Sequence, residues 1–237
     1  MLLQASDSTL LIVDMQGRLM PVIHDGDAVL AANAKLARAA RLLDVPVVAT
    51  EHHSKMLGVT VAPLAELVQS TFQKMHFSAA RERGFEAWLP AARKTVLVTG
   101  CEAHICVLQT VIGLTELGYK AVLVADAAGS RKPSDHHAAL RRARAHGAEI
   151  VTSEMAIFEW METCEHARFR DVLRLVKERP VPATLSLGSA RIPSPFDTIP
   201  GQTSQRGAGY VAILKALNPQ GASCARVWIL VRPRGQE

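Results

Sequence analysis

The chain has 237 residues, of which 49% are hydrophobic, and its 27 basic and 22 acidic side chains give a formal net charge of +5. A chain of this length buries roughly 70% of the surface that its unfolded form exposes, so it needs neither a metal nor disulfides to hold a core. Part of the basic excess lies in the segment LRRARAHG, which contains no aromatic residue and is typical of a solvated helix face. We therefore predict that the protein binds no nucleic acid.

Cysteine usage and hydropathy bear on the location of the protein. The four cysteines have neither C-x-x-C spacing nor a regular disulfide framework, and they are Cys101, Cys106, Cys164 and Cys224. This pattern favours a reducing compartment. No apolar run approaches the ~18 residues of a membrane span, and the N-terminus lacks the basic region of a signal peptide. We expect a cytoplasmic protein that does not interact with membranes.

Short apolar runs rich in β-branched residues alternate with longer segments of helical periodicity. The runs predict strands at 9–14, 45–50, 70–74, 94–100, 120–126 and 148–153. The periodic segments predict helices at 27–44, 104–118, 134–147 and 164–178. Strands this apolar are buried on both faces, and parallel strands need crossover connections. We therefore predict a Rossmann-like, three-layer α/β/α sandwich with a mostly parallel sheet of about six strands.

Local signals mark helix ends and a domain boundary. Gly118 and Gly147 follow predicted helices at positions suited to a left-handed cap, and Ser134 is a predicted N-cap. Beyond Pro180 the chain is rich in Pro, Gly and Ser and has no sustained periodicity. We predict one domain at 1–180 and an appendage at 181–237 that is either an arm or disordered.

Polar residues at the ends of predicted strands are the candidates for a functional site, because ligands of open parallel sheets bind beyond the carboxyl ends of the strands. Asp14 ends the first strand, Lys74 ends the third, and Cys106 lies on the first turn of the helix after the fourth. A helix N-terminus and a nearby lysine both favour a thiolate, so we expect a lowered pKa for Cys106. A buried Asp14 requires a cation or a proton donor beside it. Spacing alone does not require the three residues to meet.

Four segments resemble the isochorismatase-like cysteine hydrolases, in order and with matching spacing. They are LLIVDMQ at 10–16, FQKMHFSA at 72–79, VTGCEAHICVLQT at 98–110 and VTSEMAIFEW at 151–160. The most specific part is the stretch G-x-E-x-H-x-C-V-x-Q-T. The resemblance is to the branch without an assigned substrate, which includes the YcaC-like and isochorismatase domain-containing proteins. It implies a catalytic triad of Asp14, Lys74 and Cys106.

The resemblance also implies how a substrate is held. It places a cis peptide bond between Cys101 and Glu102, and it assigns the backbone N–H groups of Glu102 and Cys106 to an oxyanion hole. Four side chains would line a pocket for a small-molecule substrate: Gln16, His76, Phe77 and Cys101. The alternative for Gln16 is that it only braces the adjacent loop. No cofactor is implied, and a homo-oligomer is expected because oligomers are usual in the superfamily.

Glu51, His52 and His53 occupy the region where nicotinamidases of the superfamily carry an Asp-x-His metal motif, with a further histidine downstream. A catalytic Zn²⁺ needs three protein ligands around an open position. In this chain Lys55 follows the pair, and no further histidine occurs before His76. We therefore predict that no metal is bound and interpret both histidines as hydrogen-bonded loop residues.

The candidate residues favour acyl transfer to a thiol, with hydrolysis of an amide C–N bond through a thioester intermediate. Three alternatives stay open. Isochorismatase-type vinyl-ether hydrolysis proceeds by protonation and needs no nucleophile. Otherwise the chain is a non-catalytic protein that binds a metabolite, or a redox sensor in which Cys106 is oxidised.

Overall fold

The computed structural model describes residues 2–178, and the appendage predicted at 181–237 lies outside these described residues. Six strands form one sheet: β1 (Ser8–Val13), β2 (Val47–His52), β3 (Ser70–Lys74), β4 (Thr95–Cys101), β5 (Lys120–Gly129) and β6 (Glu149–Val151). Their spatial order is β3-β2-β1-β4-β5-β6, and every neighbouring pair is parallel. The predicted six-stranded sheet is confirmed.

Helices cover the sheet on both sides. The α-helices are α1 (Gly26–Leu42), α2 (Ser54–Leu57), α3 (Ala62–Ala65), α4 (Phe85–Trp88), α5 (Leu108–Glu116), α6 (Pro133–Ala145), α7 (Ser153–Met161) and α8 (Phe169–Lys177). Short 3-10 turns occur at Ala5–Asp7, Met20–Val22 and Ala79–Arg81, and a π-helical turn spans Ala103–Val107. Within residues 2–178, none of these helices has the length and apolar character needed to cross a bilayer.

The alternation of side chains along β1 divides the core into two layers, which confirms the three-layer sandwich. Leu10 and Ile12 pack with residues of α1, α7 and α8, on what we call the α1 face. Leu11 and Val13 pack with residues of α4, α5 and α6, on the α5 face. Successive side chains of a strand point to opposite faces of the sheet. Only every second residue of a strand therefore faces the side on which Cys106 lies, the α5 face.

Two of the three predicted helix ends agree with the structure. Gly118 and Gly147 both adopt left-handed torsions, with φ of 83° and 87°. The predicted N-cap at Ser134 is wrong, because α6 begins at Pro133 with Lys132 as its N-cap. Proline suits the first helical position, since its fixed φ fits a helix and its missing N–H has no helical partner there.

Gly100 is the glycine at which backbone geometry is most demanding. It has a φ of 106° in β4 and lies opposite Val13, whose carbonyl oxygen would collide with any Cβ at this position. We predict that Gly100→Ala lowers the free energy of unfolding by more than about 2 kcal/mol, because it adds overlap to an unfavourable torsion. Gly118→Ala is the matched control, since its Cβ meets no atom within 4 Å and only the torsional cost of about 1 kcal/mol remains. Equal losses in urea denaturation would contradict this account.

Candidate active site

Asp14 follows β1 directly and is fully buried, with a left-handed φ of 51°. Both of its carboxylate oxygens accept hydrogen bonds. Oδ1 accepts from Thr50 Oγ1 at 2.8 Å, and Oδ2 accepts from Lys74 Nζ at 2.7 Å. An unpaired buried carboxylate is costly, so these partners explain how the charge is retained in the core. The cation that the sequence required beside Asp14 is Lys74.

Lys74 ends β3, and none of its side chain is exposed. Besides the bond to Asp14, its Nζ donates to the backbone carbonyl oxygens of His76 at 3.3 Å and Phe77 at 3.1 Å. An ammonium group has three donors, so the protein itself satisfies all of them. The lysine is therefore held in one position by a carboxylate and by two carbonyls of the following loop.

Cys106 lies in the π-helical turn between β4 and α5, and it is 6% exposed. The charges of Asp14 and Lys74 both act on its thiol. Burial, reinforced by the Asp14 carboxylate, raises the pKa of Cys106 to about 12, although the Lys74 ammonium opposes this shift. The expected lowering of the pKa is wrong, because burial and the carboxylate outweigh the lysine. With this raised pKa, the resting thiol carries its proton at neutral pH.

The backbone around Cys106 forms a tight turn. The peptide bond between Cys101 and Glu102 is cis, as the resemblance implied. The carbonyl oxygen of Glu102 accepts hydrogen bonds from the amides of Ile105 at 3.0 Å and Val107 at 3.2 Å. Cys106 lies between Ile105 and Val107 in the sequence, and its own amide is the donor in neither of these bonds. The oxyanion hole formed by the amides of Glu102 and Cys106 stays a prediction.

Two contacts hold this turn against the segment that follows β5. Arg131 Nε donates to Glu102 Oε2 at 2.9 Å, and the backbone N–H of Arg131 approaches the same oxygen at 3.4 Å. Ser130 Oγ and His104 Nδ1 lie 3.0 Å apart. The carboxylate of Glu102 is thereby paired, and the turn that carries Cys106 is fixed by the residues that follow β5.

Sequence reasoning missed Thr50 and His52 as members of this site. Both belong to β2, and His52 pairs with Lys74 across the ladder between β2 and β3. The His52 ring packs against Phe77 with 5.2 Å between ring centroids, and burial together with the Lys74 charge lowers the pKa of His52. The only signal for Thr50 and His52 was their position at the carboxyl end of an apolar strand, which does not by itself mark either residue as part of a site.

The interpretation of the paired histidines is wrong in part. Within residues 2–178, the buried Nδ1 atoms of His52 and His53 have no hydrogen-bond partner. The neighbouring Glu51 uses both carboxylate oxygens internally, on Thr60 and on Gln73. Burial opposes the ionised form, but these hydrogen bonds hold the pKa of Glu51 below its ordinary value. No group of three or more His, Cys, Asp or Glu side chains among the described residues is arranged to hold a metal.

Gln16 bonds to the end of β2 and to Gly58, and Cys101 lies in the core of the α1 face. Gln16 Nε2 donates to the carbonyl oxygens of His52 at 3.1 Å and Gly58 at 2.6 Å, and its Oε1 accepts from the amide of His52 at 2.9 Å. These bonds match the bracing alternative for Gln16. Cys101 Sγ lies 3.5 Å from Met15 Sδ in the core of the α1 face, across the sheet from Cys106. Sequence order gave no information on which way either side chain points.

His76 and Phe77 contribute to the site through their backbone carbonyls, while their side chains are more than half exposed. Glu82 holds this loop. Its Oε2 accepts from the amides of Met75 at 3.1 Å and His76 at 3.0 Å, and from His76 Nδ1 at 2.7 Å. Beside the loop lies a cavity of about 480 Å³ whose lining does not include Cys106; it is formed by His53, Ser54, Lys55, Gln73, Lys74, Met75 and Glu82.

We predict that Glu82→Gln lowers the free energy of unfolding at pH 7 by about 1–2 kcal/mol, because hydrogen bonds to a charged acceptor are lost. The amide and ring of His76 lower the pKa of Glu82 from 4.5 to about 2. A carboxyl with a lowered folded pKa stabilises the native state above its unfolded pKa and loses that effect as the pH falls through the folded pKa. The stability difference between wild type and variant in urea should therefore shrink between pH 4.5 and pH 2. A constant difference across that interval would contradict the prediction.

The fold and the cluster define a class of protein. A parallel α/β sheet carries a buried carboxylate–ammonium pair and a buried cysteine at its carboxyl edge, which is the arrangement that the sequence resemblance implied for isochorismatase-like hydrolases. The chain belongs to the isochorismatase family. The family model described as the isochorismatase domain matches residues 8–155.

Curated proteins and solved structures agree with this assignment. Isochorismatase domain-containing protein 2 of Bos taurus is 35% identical over 181 residues, covering 76% of this chain and 88% of that protein. The structure of MAR1 ribonuclease from Caenorhabditis elegans is 31% identical with a TM-score of 0.72, covering 78% of this chain and 97% of that one. The YcaC gene product of Escherichia coli, described as an octameric hydrolase of unknown specificity, is 21% identical with a TM-score of 0.63, covering 74% and 94%. At that identity, YcaC supports the fold alone.

Proposed function

We propose that the protein is a cysteine hydrolase that cleaves an amide C–N bond of a small molecule, with Asp14, Lys74 and Cys106 as catalytic residues. The observation that carries the proposal is the fully buried Asp14–Lys74 pair, with 2.7 Å between Lys74 Nζ and Asp14 Oδ2, acting on one buried thiol. A buried ion pair costs desolvation energy that a hydrophobic pair would avoid. Its retention beside a nucleophilic atom favours a chemical role.

In the first half of the reaction, Asp14 accepts the proton of the Cys106 thiol while the sulfur attacks the substrate carbonyl carbon. The carbonyl oxygen takes up negative charge, which the amides of Glu102 and Cys106 stabilise. The C–N bond then breaks, and the leaving nitrogen receives the proton from Asp14. The acyl group remains on sulfur as a thioester.

In the second half, water attacks the thioester carbon and Asp14 accepts one of the water protons. The C–S bond breaks, the carboxylic acid leaves, and the proton returns to the sulfur of Cys106. Lys74 orients Asp14 between these steps, since its ammonium group bonds to Asp14 and to two backbone carbonyls. Every proton transferred passes through Asp14, which fits a resting thiol with a raised pKa.

The raised pKa of Cys106 argues against the redox-sensor alternative. Redox-sensing cysteines react as exposed thiolates, whereas the buried Cys106 is protonated at rest. Vinyl-ether hydrolysis gives the cysteine no role. A non-catalytic metabolite-binding protein is the remaining alternative, and only an activity measurement separates it from the proposal.

The test is a panel of small primary and secondary amides, with amine release measured for wild type and Cys106→Ala. The proposal predicts turnover by wild type and a thioester adduct on Cys106 detectable by intact-protein mass spectrometry after rapid acid quenching. Full turnover by Cys106→Ala would refute the mechanism. Absence of turnover on the whole panel, with unaltered binding of a panel member by both proteins, would favour the non-catalytic alternative.

We also propose a homo-oligomer, a cytoplasmic location and a separate appendage at 181–237, all of which stay predictions from the sequence. Light scattering of the purified full chain tests the first of these. A monomeric mass at micromolar concentration would contradict it.

A further inference from the structure

We propose that the substrate of this site is an uncharged small molecule, and that the site rejects carboxylates and phosphates. The inference rests on the proposed function, because it concerns the molecule that reaches Cys106. The partners of each charged group around the thiol support it.

Lys74 is the cation that acts on the Cys106 thiol, and three protein acceptors already surround its ammonium group. Its Nζ bonds to Asp14, His76 and Phe77, and none of its side chain is exposed. A carboxylate on the substrate would have to displace Asp14 or a carbonyl to reach it. The pair also carries no net charge, so it attracts an anion only weakly.

Arg131 is the cation that bonds to Glu102, at the start of the turn that holds Cys106, and its half-exposed guanidinium is offset by that carboxylate. Its Nε lies 2.9 Å from Glu102 Oε2. Arg18 is exposed, and its Nη1 donates to the carbonyl oxygen of Met56 at 2.6 Å, which places this guanidinium on the loop of α2. The two carboxylates nearest the turn and the buried pair, Asp14 and Glu102, each have one cationic partner, Lys74 and Arg131.

The surroundings of the thiol disfavour negative charge. Burial and the Asp14 carboxylate raise the pKa of Cys106, which means that an anion at the sulfur position is destabilised relative to water. The Phe77 ring, 52% exposed and packed on a His52 ring whose pKa is lowered, adds apolar surface and no cation. A neutral amide has no negative charge to be destabilised here, whereas isochorismate has two carboxylates, and both would be destabilised.

Iodoacetamide and iodoacetate provide a matched pair of probes, because they deliver the same reacting carbon with and without a negative charge. The full-length chain is treated with each reagent at pH 9, and peptide mass spectrometry follows alkylation at Cys106 and at Cys164, which is exposed. The ratio of the two rates at one cysteine cancels its thiolate fraction, so Cys164 reports the intrinsic preference of a solvated thiol. We expect the ratio of amide to acetate rates at Cys106 to exceed that at Cys164 by at least about tenfold.

Charge variants then test the cause. Glu102→Gln removes a carboxylate and frees the Arg131 charge, so it should lower the ratio at Cys106 by about threefold or more, while Arg131→Gln should raise it. Equal ratios at Cys106 and Cys164, or a preference for iodoacetate that Arg18→Ala removes, would overturn the inference and leave the nucleophile intact. Cleavage of RNA that Cys106→Ala abolishes would also overturn it. Failure of iodoacetamide to alkylate Cys106 while Cys164 reacts fully would also overturn the inference, because an uncharged probe would then be excluded as well; the nucleophile itself is tested separately by amide turnover of Cys106→Ala.

Discussion

Cys106→Ala is expected to reduce the turnover of any amide substrate by about 10⁴-fold or more, because no other thiol can form the thioester. Among residues 2–178, the remaining cysteines are Cys101, which lies across the sheet, and Cys164, which is exposed. Cys106→Ser should be nearly as inactive, since a hydroxyl is a far weaker acid than a thiol and Asp14 is its only base in the proposed mechanism. Steady-state amine release measures the effect.

The matched control is Cys164→Ser, which removes an exposed thiol remote from the proposed chemistry and should retain wild-type turnover. Thermal denaturation shows whether the Cys106→Ala protein is still folded. Cys106→Ala deletes one buried sulfur and should cost about 1 kcal/mol, too little to unfold a domain of this size. A folded Cys106→Ala protein with a rate within tenfold of wild type would mean that the reaction does not pass through the sulfur.

The sheet could be predicted from the sequence because its strands are buried on both faces. The run TLLIVD has four consecutive apolar residues before Asp14 because β1 is flanked by β2 and β4 and covered by helices on both sides. Ligand sites lie at the carboxyl edge of such a sheet, so Asp14, Lys74 and Cys106 could be singled out by position. Only the resemblance implied that these side chains lie together, and the 2.7 Å between Lys74 Nζ and Asp14 Oδ2 agrees with it.

The properties that could not be predicted depend on side-chain direction and on burial. Cys101 and Cys106 are five positions apart, yet they face opposite cores, because the first ends a strand and the second lies in a helical turn. The pKa of Cys106 was expected to fall on the basis of nearby charges, and it rises because the depth of the thiol was unknown. Thr50 was overlooked, since a threonine at a strand end has no distinctive sequence pattern until its hydroxyl is seen 2.8 Å from Asp14.

Single substitutions of the ion pair are expected to be severe. Lys74→Met leaves the buried Asp14 carboxyl without its cation, and Asp14→Asn leaves Lys74 without its counterion, so each should lower the free energy of unfolding by about 3–5 kcal/mol. Both residues are fully buried, so solvent cannot replace the lost partner. Each variant should also lose turnover by at least about 10²-fold, because in the proposed mechanism Asp14 transfers every proton and Lys74 orients it.

The double variant Asp14→Asn with Lys74→Met separates stability from catalysis. It contains no unpaired charge, and the amide introduced by Asp14→Asn keeps an acceptor for Thr50, so the two losses should not add and the coupling energy should be at least about 2 kcal/mol. The carbonyls of His76 and Phe77 lose a donor, which prevents full recovery. Urea denaturation of the four proteins measures the coupling, and amine release measures the rate. The double variant should be more stable than at least one single variant and still inactive, since a neutral site has no base for Cys106. Additive losses would show that the two charges do not depend on each other, and recovered turnover would remove Asp14 and Lys74 from the mechanism.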